Sequence, residues 1–346
     1  MNDIDALMLT PSQAKDALIN VLKARCVPFL QGSPGVAKSA IIKDIADHFK
    51  LKLIDVRLSQ VEPCDLLGFP FAEGGRADYK PMKMFPLEGD NLPEDKNGWL
   101  LFFDEFNSAP RDVQAAAYRI VLDREIGTHK LHNNCFICCA GNLSTDKAIV
   151  NKLSTALASR LVHLFMAPSV EDWVAWALNN DIDERVIAYI QNANHKLMEF
   201  DPNSQDITYP CPRTWHMLSR IIKPMVDLKH AHSLISGTIG QGTAFEFRAF
   251  ADLSKDCPTL EEIKNNPTSA PIPTKPGAMY FVATCIAANM DKDTYKTYLE
   301  YMNRFQAKEI IVLIYRMACK GKHAAELIKQ AEFKKNAVRF LKDLGV

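Results

Sequence analysis

Net charge is the first thing this sequence lacks: its 41 basic and 41 acidic residues cancel. No bulk field therefore gathers nucleic acid or anionic membrane, although a local basic stripe stays open. Long apolar runs are missing too, none approaching the ~20 residues of a membrane-spanning helix. The opening Met1-Asn2-Asp3-Ile4-Asp5 has neither the basic n-region nor the apolar core of a signal peptide. No internal repeat and no recognisable DNA-binding module is apparent. These absences set the expectation of a soluble, cytoplasmic protein with no membrane partner and no nucleic-acid partner.

Cysteine is present but unorganised. Nine cysteines in 346 residues, with no secretory signal, argue for reduced thiols rather than a disulfide framework. His129, His132, Cys135 and Cys138 recur every three residues, which invites a zinc reading, but spacing alone is weak evidence for a metal site. A strand alternates faces, so Cys135 and Cys138 would point apart. They read as small apolar core residues, and His230-Ala231-His232 reads as incidental.

What the chain has is bulk and motif. With 47% apolar residues over 346 positions it can bury a large core in two or three domains. Residues Gly32-Ser33-Pro34-Gly35-Val36-Ala37-Lys38-Ser39 follow the apolar Cys26–Leu30 and precede Ile41, Ile42, Ile45, Ala46 and Phe49 at helical spacing. Strand, glycine-bearing loop and helix together make a phosphate-binding loop. Its backbone N–H groups and the positive helix end can surround a polyphosphate. Lys38 would reach the β- and γ-phosphates and Ser39 would ligate Mg²⁺. Ala37 stands where glycine is usual. Alanine does not tolerate a positive φ, so this position is expected to be helix-like already.

A second apolar run, Gly98-Trp99-Leu100-Leu101-Phe102-Phe103, ends in Asp104-Glu105. Such a run suits a strand buried on both faces of a parallel sheet, and carboxylates at its C-terminal end lie where open α/β sheets bind ligands. Asp104 would hold Mg²⁺, and Glu105 would orient and deprotonate the attacking water. A third run, Cys135–Ala140, ends in Gly141-Asn142, an amide that could contact the γ-phosphate or position water. Arg160, in Leu157-Ala158-Ser159-Arg160-Leu161, could supply transition-state charge to a neighbouring subunit.

In this order the motifs resemble the AAA+ ATPases, and within them the MoxR group, from about Pro11 to about Ser219. Residues 32–39 are similar to a MoxR-type Walker A, in which alanine before the lysine is familiar, and Asp104-Glu105-Phe106-Asn107 resembles the Walker B turn. Arg-Asp-Val-Gln-Ala-Ala at 111–116 resembles the helix that follows. The resemblance makes Asn142 the sensor-1 residue, Arg160 an arginine finger, and Arg213 in Pro212-Arg213-Thr214-Trp215 the sensor-2 arginine. Gln60–Lys83 and Asp123–Asn134 are similar to the helix-2 insert and the hairpin before sensor 1. The family often has arginine after the Walker B asparagine, whereas here it is Ser108.

The resemblance implies an α/β P-loop core at about 1–168 with a parallel five-stranded sheet in the order 5-1-4-3-2. A helical lid at 169–256 and a proline-rich linker with a helical C-terminal extension at 257–346 would complete the chain. It implies ATP and Mg²⁺ as cofactors, a homo-oligomeric ring, most simply a hexamer, and remodelling of a protein client, often with a partner bearing a von Willebrand factor type A domain. Two other readings stay open: a nucleotide-switched assembly module with little turnover, and a nucleic-acid motor or loader.

Periodicity places helices at Thr10–Lys23, Pro110–Arg124, Val170–Asn179, Glu184–Met198 and Thr214–Met225, and a strand at Leu53–Leu58. A Ser-Gly-Thr-Ile-Gly-Gln-Gly stretch at 236–242 is expected to break the helices. Prolines 258, 267, 271, 273 and 276 mark a linker or extended segment. The last helix, around Ala331–Leu344, sets Lys334, Lys335, Arg339 and Lys342 opposite Val338, Leu341 and Leu344. A packed terminal helix with a solvated face is the simplest account.

Overall fold

A computed structural model describes residues 5–146, 151, 153–204 and 206–342. Leu344 lies outside the described residues. The chain divides into two compact units, residues 1–167 with 201–203, and 168–200 with 204–346.

Among the described residues the first unit has ten strands: β1 (Met8–Leu9), β2 (Val27–Gln31), β3 (Leu51–Arg57), β4 (Phe69–Glu73), β5 (Arg76–Lys80), β6 (Gly98–Asp104), β7 (Glu125–Ile126), β8 (His129–Lys130), β9 (Cys135–Gly141) and β10 (Leu161–Met166). Six of them form one sheet in the order β1-β10-β2-β9-β6-β3, with every neighbouring pair parallel. The last five reproduce the expected 5-1-4-3-2 order. The difference from expectation is a sixth strand: short β1 pairs through Met8 and Leu9 with the end of β10.

Its helices are α1 (Pro11–Lys23), α2 (Lys38–His48), α3 (Pro63–Leu67), α4 (Arg111–Asp123) and α5 (Thr155–Ala158). Thr10 and Gln13 form a reciprocal capping box on α1, with Pro11 in its first turn. β6 is buried through six consecutive residues, as a strand covered on both faces must be. Trp99, Leu101 and Phe103 join a cluster with Val113, Ala117 and Ile120 of α4, and alternation sends the equally buried Leu100 and Phe102 to the other face. Cys135, Cys138 and Cys139 are core residues of β9, and burial pushes the Cys135 thiol up to about 11.

Each stretch expected to be an insertion forms an antiparallel hairpin, β4–β5 and β7–β8. The two hairpins touch: Thr128 Oγ1 donates to Asp78 Oδ1 at 3.0 Å.

The second unit is helical: α6 (Val170–Asn179), α7 (Glu184–Asn192), α8 (Pro212–Ile222), α9 (His232–Ile239), α10 (Gln241–Asp252), α11 (Leu260–Asn265), α12 (Pro276–Asn289), α13 (Tyr295–Met302), α14 (Lys308–Ala318), α15 (Ala324–Leu327) and α16 (Ala331–Lys342). Several sequence expectations are corrected here. The helix expected at 184–198 stops at Asn192 and gives way to a 3₁₀ turn, Asn194–Leu197. The stretch 236–242 does not break the chain as a whole. α9 runs through Ser236–Ile239 because Ile235, Thr238 and Ile239 are buried, and only Gly240, at φ +84°, makes the turn.

Within the proline-rich segment Thr259 and Glu262 cap α11, whose Ile263 is fully buried. One hydrophobic cluster contains residues from Trp173 and Val186 through Phe247 to Ile286, Ile314 and Phe333. On α16 the packed residues are Phe333 and Ala337, while Val338 is 44% exposed. Val338 therefore lies off the packed face, where Phe340 stacks on Tyr315; the side chains of Leu341 and Lys342 lie outside those described. Trp173 is core; Trp176 is part-exposed with its ring edge against His216.

Candidate active site

The C-terminal ends of β2, β6 and β9 bring three sequence motifs of the first unit together. β2 is parallel to β9, with Gln31 opposite Gly141, and β9 is parallel to β6, with Cys139 opposite Phe103. The loop after β2 therefore meets Asp104-Glu105 and Asn142 at one edge of the sheet, the edge where open α/β sheets hold ligands.

The loop is shaped by close approach. A Cβ on Gly32 would lie 2.8 Å from the carbonyl of Met166 at the end of β10, so only glycine lets the loop leave the sheet there. Gly35 has φ +86°. Ala37 adopts φ +73° and ψ +25° as the N-cap of α2. This overturns the expectation that position 37 is helix-like. The chain turns left-handed immediately before α2, and alanine bears a conformation that costs about 1–2 kcal/mol for an L-residue. Val36 is buried beneath the loop.

Lys38 folds its ammonium over the loop, donating to the carbonyls of Gly32 and, at 3.1 Å, Ser33. It also donates to Asn142 Oδ1 at 3.3 Å, so the lysine and the polar amide after β9 are neighbours. Ser39 Oγ donates to Asp104 Oδ2 at 3.0 Å. These are two hard oxygen donors, one opening α2 and one closing β6. Such a pair fits Mg²⁺, which takes one or two protein oxygens and completes its octahedron with phosphate and water. Among the described residues no group of three or more His, Cys, Asp or Glu is arranged for a metal, so Ser39 and Asp104 carry the fit.

Glu105 has a left-handed backbone, φ +54° and ψ +34°. Its carboxylate accepts from the hydroxyl of Ser59. Ser59 lies just past β3, whose Arg57 is in register with Asp104. Asp55, further back on β3, is raised above the ordinary aspartate range by burial and by the charge of Asp104, with Arg57 opposing.

Asn107 ties the turn after β6 to the loop after β9. Its Nδ2 donates to Asn142 O at 2.8 Å, and Asn142 N donates back to its Oδ1 at 3.1 Å. The side chain is 4% exposed. It occupies the place that a Cβ on Gly141 would fill, 2.2 Å from Asn107 Oδ1. This pair of hydrogen bonds to the Asn142 backbone fixes where the Asn142 side chain can reach.

Arg160 makes its contacts outside this group. Arg160 follows α5 on the surface, its Nη1 donating to Ala156 O at 2.7 Å and its guanidinium 5.7 Å from the Tyr118 ring. Arg213 is in the first turn of α8 in the second unit and is exposed. Sequence reasoning missed Ser59 and the clamping role of Asn107. The one signal for Ser59 was topological, since a strand next to β6 must end beside Asp104-Glu105.

Parallel strand order, loop and carboxylates define an AAA+ P-loop fold. Residues 28–161 match the family model of the AAA domain (dynein-related subfamily), and that match carries nucleotide binding and ATPase chemistry as its general expectation. Among solved structures, a candidate ATPase of Cytophaga hutchinsonii is 14% identical, with 97% of this chain and 90% of that chain covered at a TM-score of 0.36. A point mutant of Thermotoga maritima RuvB is also 14% identical, covering 86% and 89% at 0.41. A full-length MCM homolog of Methanopyrus kandleri is 17% identical, covering 45% and 34% at 0.32. Likenesses this distant decide nothing about activity. Comparison with the curated proteins finds no match.

Proposed function

We propose that the chain is a Mg²⁺-dependent ATPase of the MoxR type that works as a ring and remodels a protein client. The observation that carries the catalytic part is the pairing of Ser39 with Asp104 at 3.0 Å, beside a glutamate that Ser59 holds. Loop N–H groups and the start of α2 bind the phosphates of ATP, and Lys38 neutralises the β- and γ-oxygens. Ser39 and Asp104 would hold Mg²⁺, which would supply positive charge to offset the charge developing on the phosphates. Glu105 orients a water molecule and takes its proton as the new oxygen–phosphorus bond forms. The bond from the γ-phosphorus to the bridging oxygen breaks, and ADP leaves.

Asn142, fixed by Asn107, senses the γ-phosphate from the core, and Arg213 does so from the lid. Arg160, exposed on the first unit, completes the site of an adjacent subunit, which makes a ring, most simply a hexamer, the active form. The hairpins β4–β5 and β7–β8 pass the resulting movement to the client, with a von Willebrand factor type A protein as the accessory partner that the MoxR reading brings.

Glu105→Gln tests the assignment of the base. The amide keeps the carboxylate's size but cannot take a proton, so ATP affinity is expected within about twofold of the parent while phosphate release falls by about 10²–10⁴. Unchanged phosphate release would remove Glu105 from the mechanism.

A further inference from the structure

The phosphate loop has a charged neighbour that no motif accounts for. Asp146 closes the short turn Ser144–Asp146 after β9 and is only 8% exposed. Its Oδ1 accepts from Ser33 Oγ at 3.2 Å. Among the described residues its Oδ2 has no hydrogen-bond partner. Carboxylates buried with so few partners are costly, and here burial raises the group above the ordinary aspartate range. The groups facing it are the Ser33 hydroxyl, the backbone of Leu143 and the charge of Lys38. Lys38 is also the cation that the ATPase reading assigns to the phosphates. One ammonium is then shared between a resident carboxylate and an incoming polyphosphate.

We propose that Asp146 is a positioning residue of the phosphate loop, which fixes Ser33 through its hydroxyl and weakens phosphate binding through its charge beside Lys38. The inference rests on the nucleotide-binding reading above and adds a tuning element to it. The two effects separate by substitution. Asn keeps an oxygen for Ser33 and removes the charge, whereas Ala removes both. By linkage, phosphate binding and protonation of Asp146 favour one another, so nucleotide affinity rises as pH falls through the titration of this group.

The experiment is titration of the full-length protein with ATP and Mg²⁺ across a range of pH, for the parent, Asp146→Asn, Asp146→Ala and Ser33→Ala. Removing a negative charge that faces Lys38 is expected to tighten binding by about tenfold in Asp146→Asn. The Asn variant should also lose the part of the pH dependence that Asp146 contributes. Asp146→Ala should bind less tightly than Asp146→Asn, and Ser33→Ala should weaken binding without altering the pH profile. ATP affinity and pH profile in Asp146→Asn equal to those of the parent would overturn the proposal while leaving nucleotide binding intact. A parent protein that binds no ATP would overturn the nucleotide reading and this inference with it. Should Asp146→Ala fail to fold, the Asn and Ser33 variants still decide the matter.

Discussion

Glu105 combines a left-handed backbone with a carboxylate tethered by Ser59. A non-glycine residue held in that region costs on the order of 1–3 kcal/mol, and such strain persists where the surroundings force it. Here the strain aims the carboxylate, and Ser59 restricts it further. Ser59 is exposed, so Ser59→Ala should leave the fold intact and release the carboxylate. Its turnover is expected to fall about 10- to 100-fold, since small misplacements of a reacting group cost that much, with ATP affinity unchanged. Parallel phosphate-release and nucleotide-binding titrations check this; equal losses in both would give Ser59 a binding role instead. Lys38, Ser39, Asp104 and Asn142 were legible in the sequence because each sits in a short motif whose chemistry is local. Ser59, Asn107 and Asp146 were not, because they reach the site through strand register and turn geometry. Ala37 was misread for a related reason, as loop closure and not intrinsic preference sets its φ.

Among the elements, β9 shows how tightly the site is built. Its last residue, Gly141, has room for no side chain: a Cβ would meet Asn107 Oδ1 at 2.2 Å and Phe29 Cε2 at 2.9 Å. Gly141→Ala should therefore force apart the turn after β6 and the loop after β9. It is expected to destabilise the first unit by about 1–3 kcal/mol, read as a lower thermal midpoint, and to lower turnover by freeing Asn142. A variant of parental stability and activity would show that the Asn107 clamp is dispensable. At this scale the sequence revealed the sheet well, since buried parallel strands read as unbroken apolar runs such as 98–103. Helix ends were less legible. The helix expected from Thr10 is α1, with Thr10 as its cap, but the run through Ser236–Ile239 depends on burial of Ile235 and Ile239, and tertiary packing overrides weak helix propensity. The face of α16 was misjudged because Val338 and Phe333 both satisfy a helical pattern, and only packing against Tyr315 selects Phe333.

At the scale of the whole molecule, the sheet-bearing unit gives way to the helical unit between residues 167 and 168. Among the described residues no helix is long and apolar enough to cross a membrane. On the proposed ring reading, the exposed Arg160, resting on Ala156 and Tyr118, is the residue through which assembly would matter. A finger supplied between subunits raises turnover by about 10³–10⁵ where the device operates, so a lone subunit should be nearly inactive. The most direct measurement is ATP hydrolysis per subunit over a wide range of protein concentration, with and without Mg²⁺. Hydrolysis that requires Mg²⁺ and rises steeply per subunit with concentration is the expected result. Absence of hydrolysis at every concentration, with ATP bound, would contradict the account and leave a nucleotide-switched module in its place.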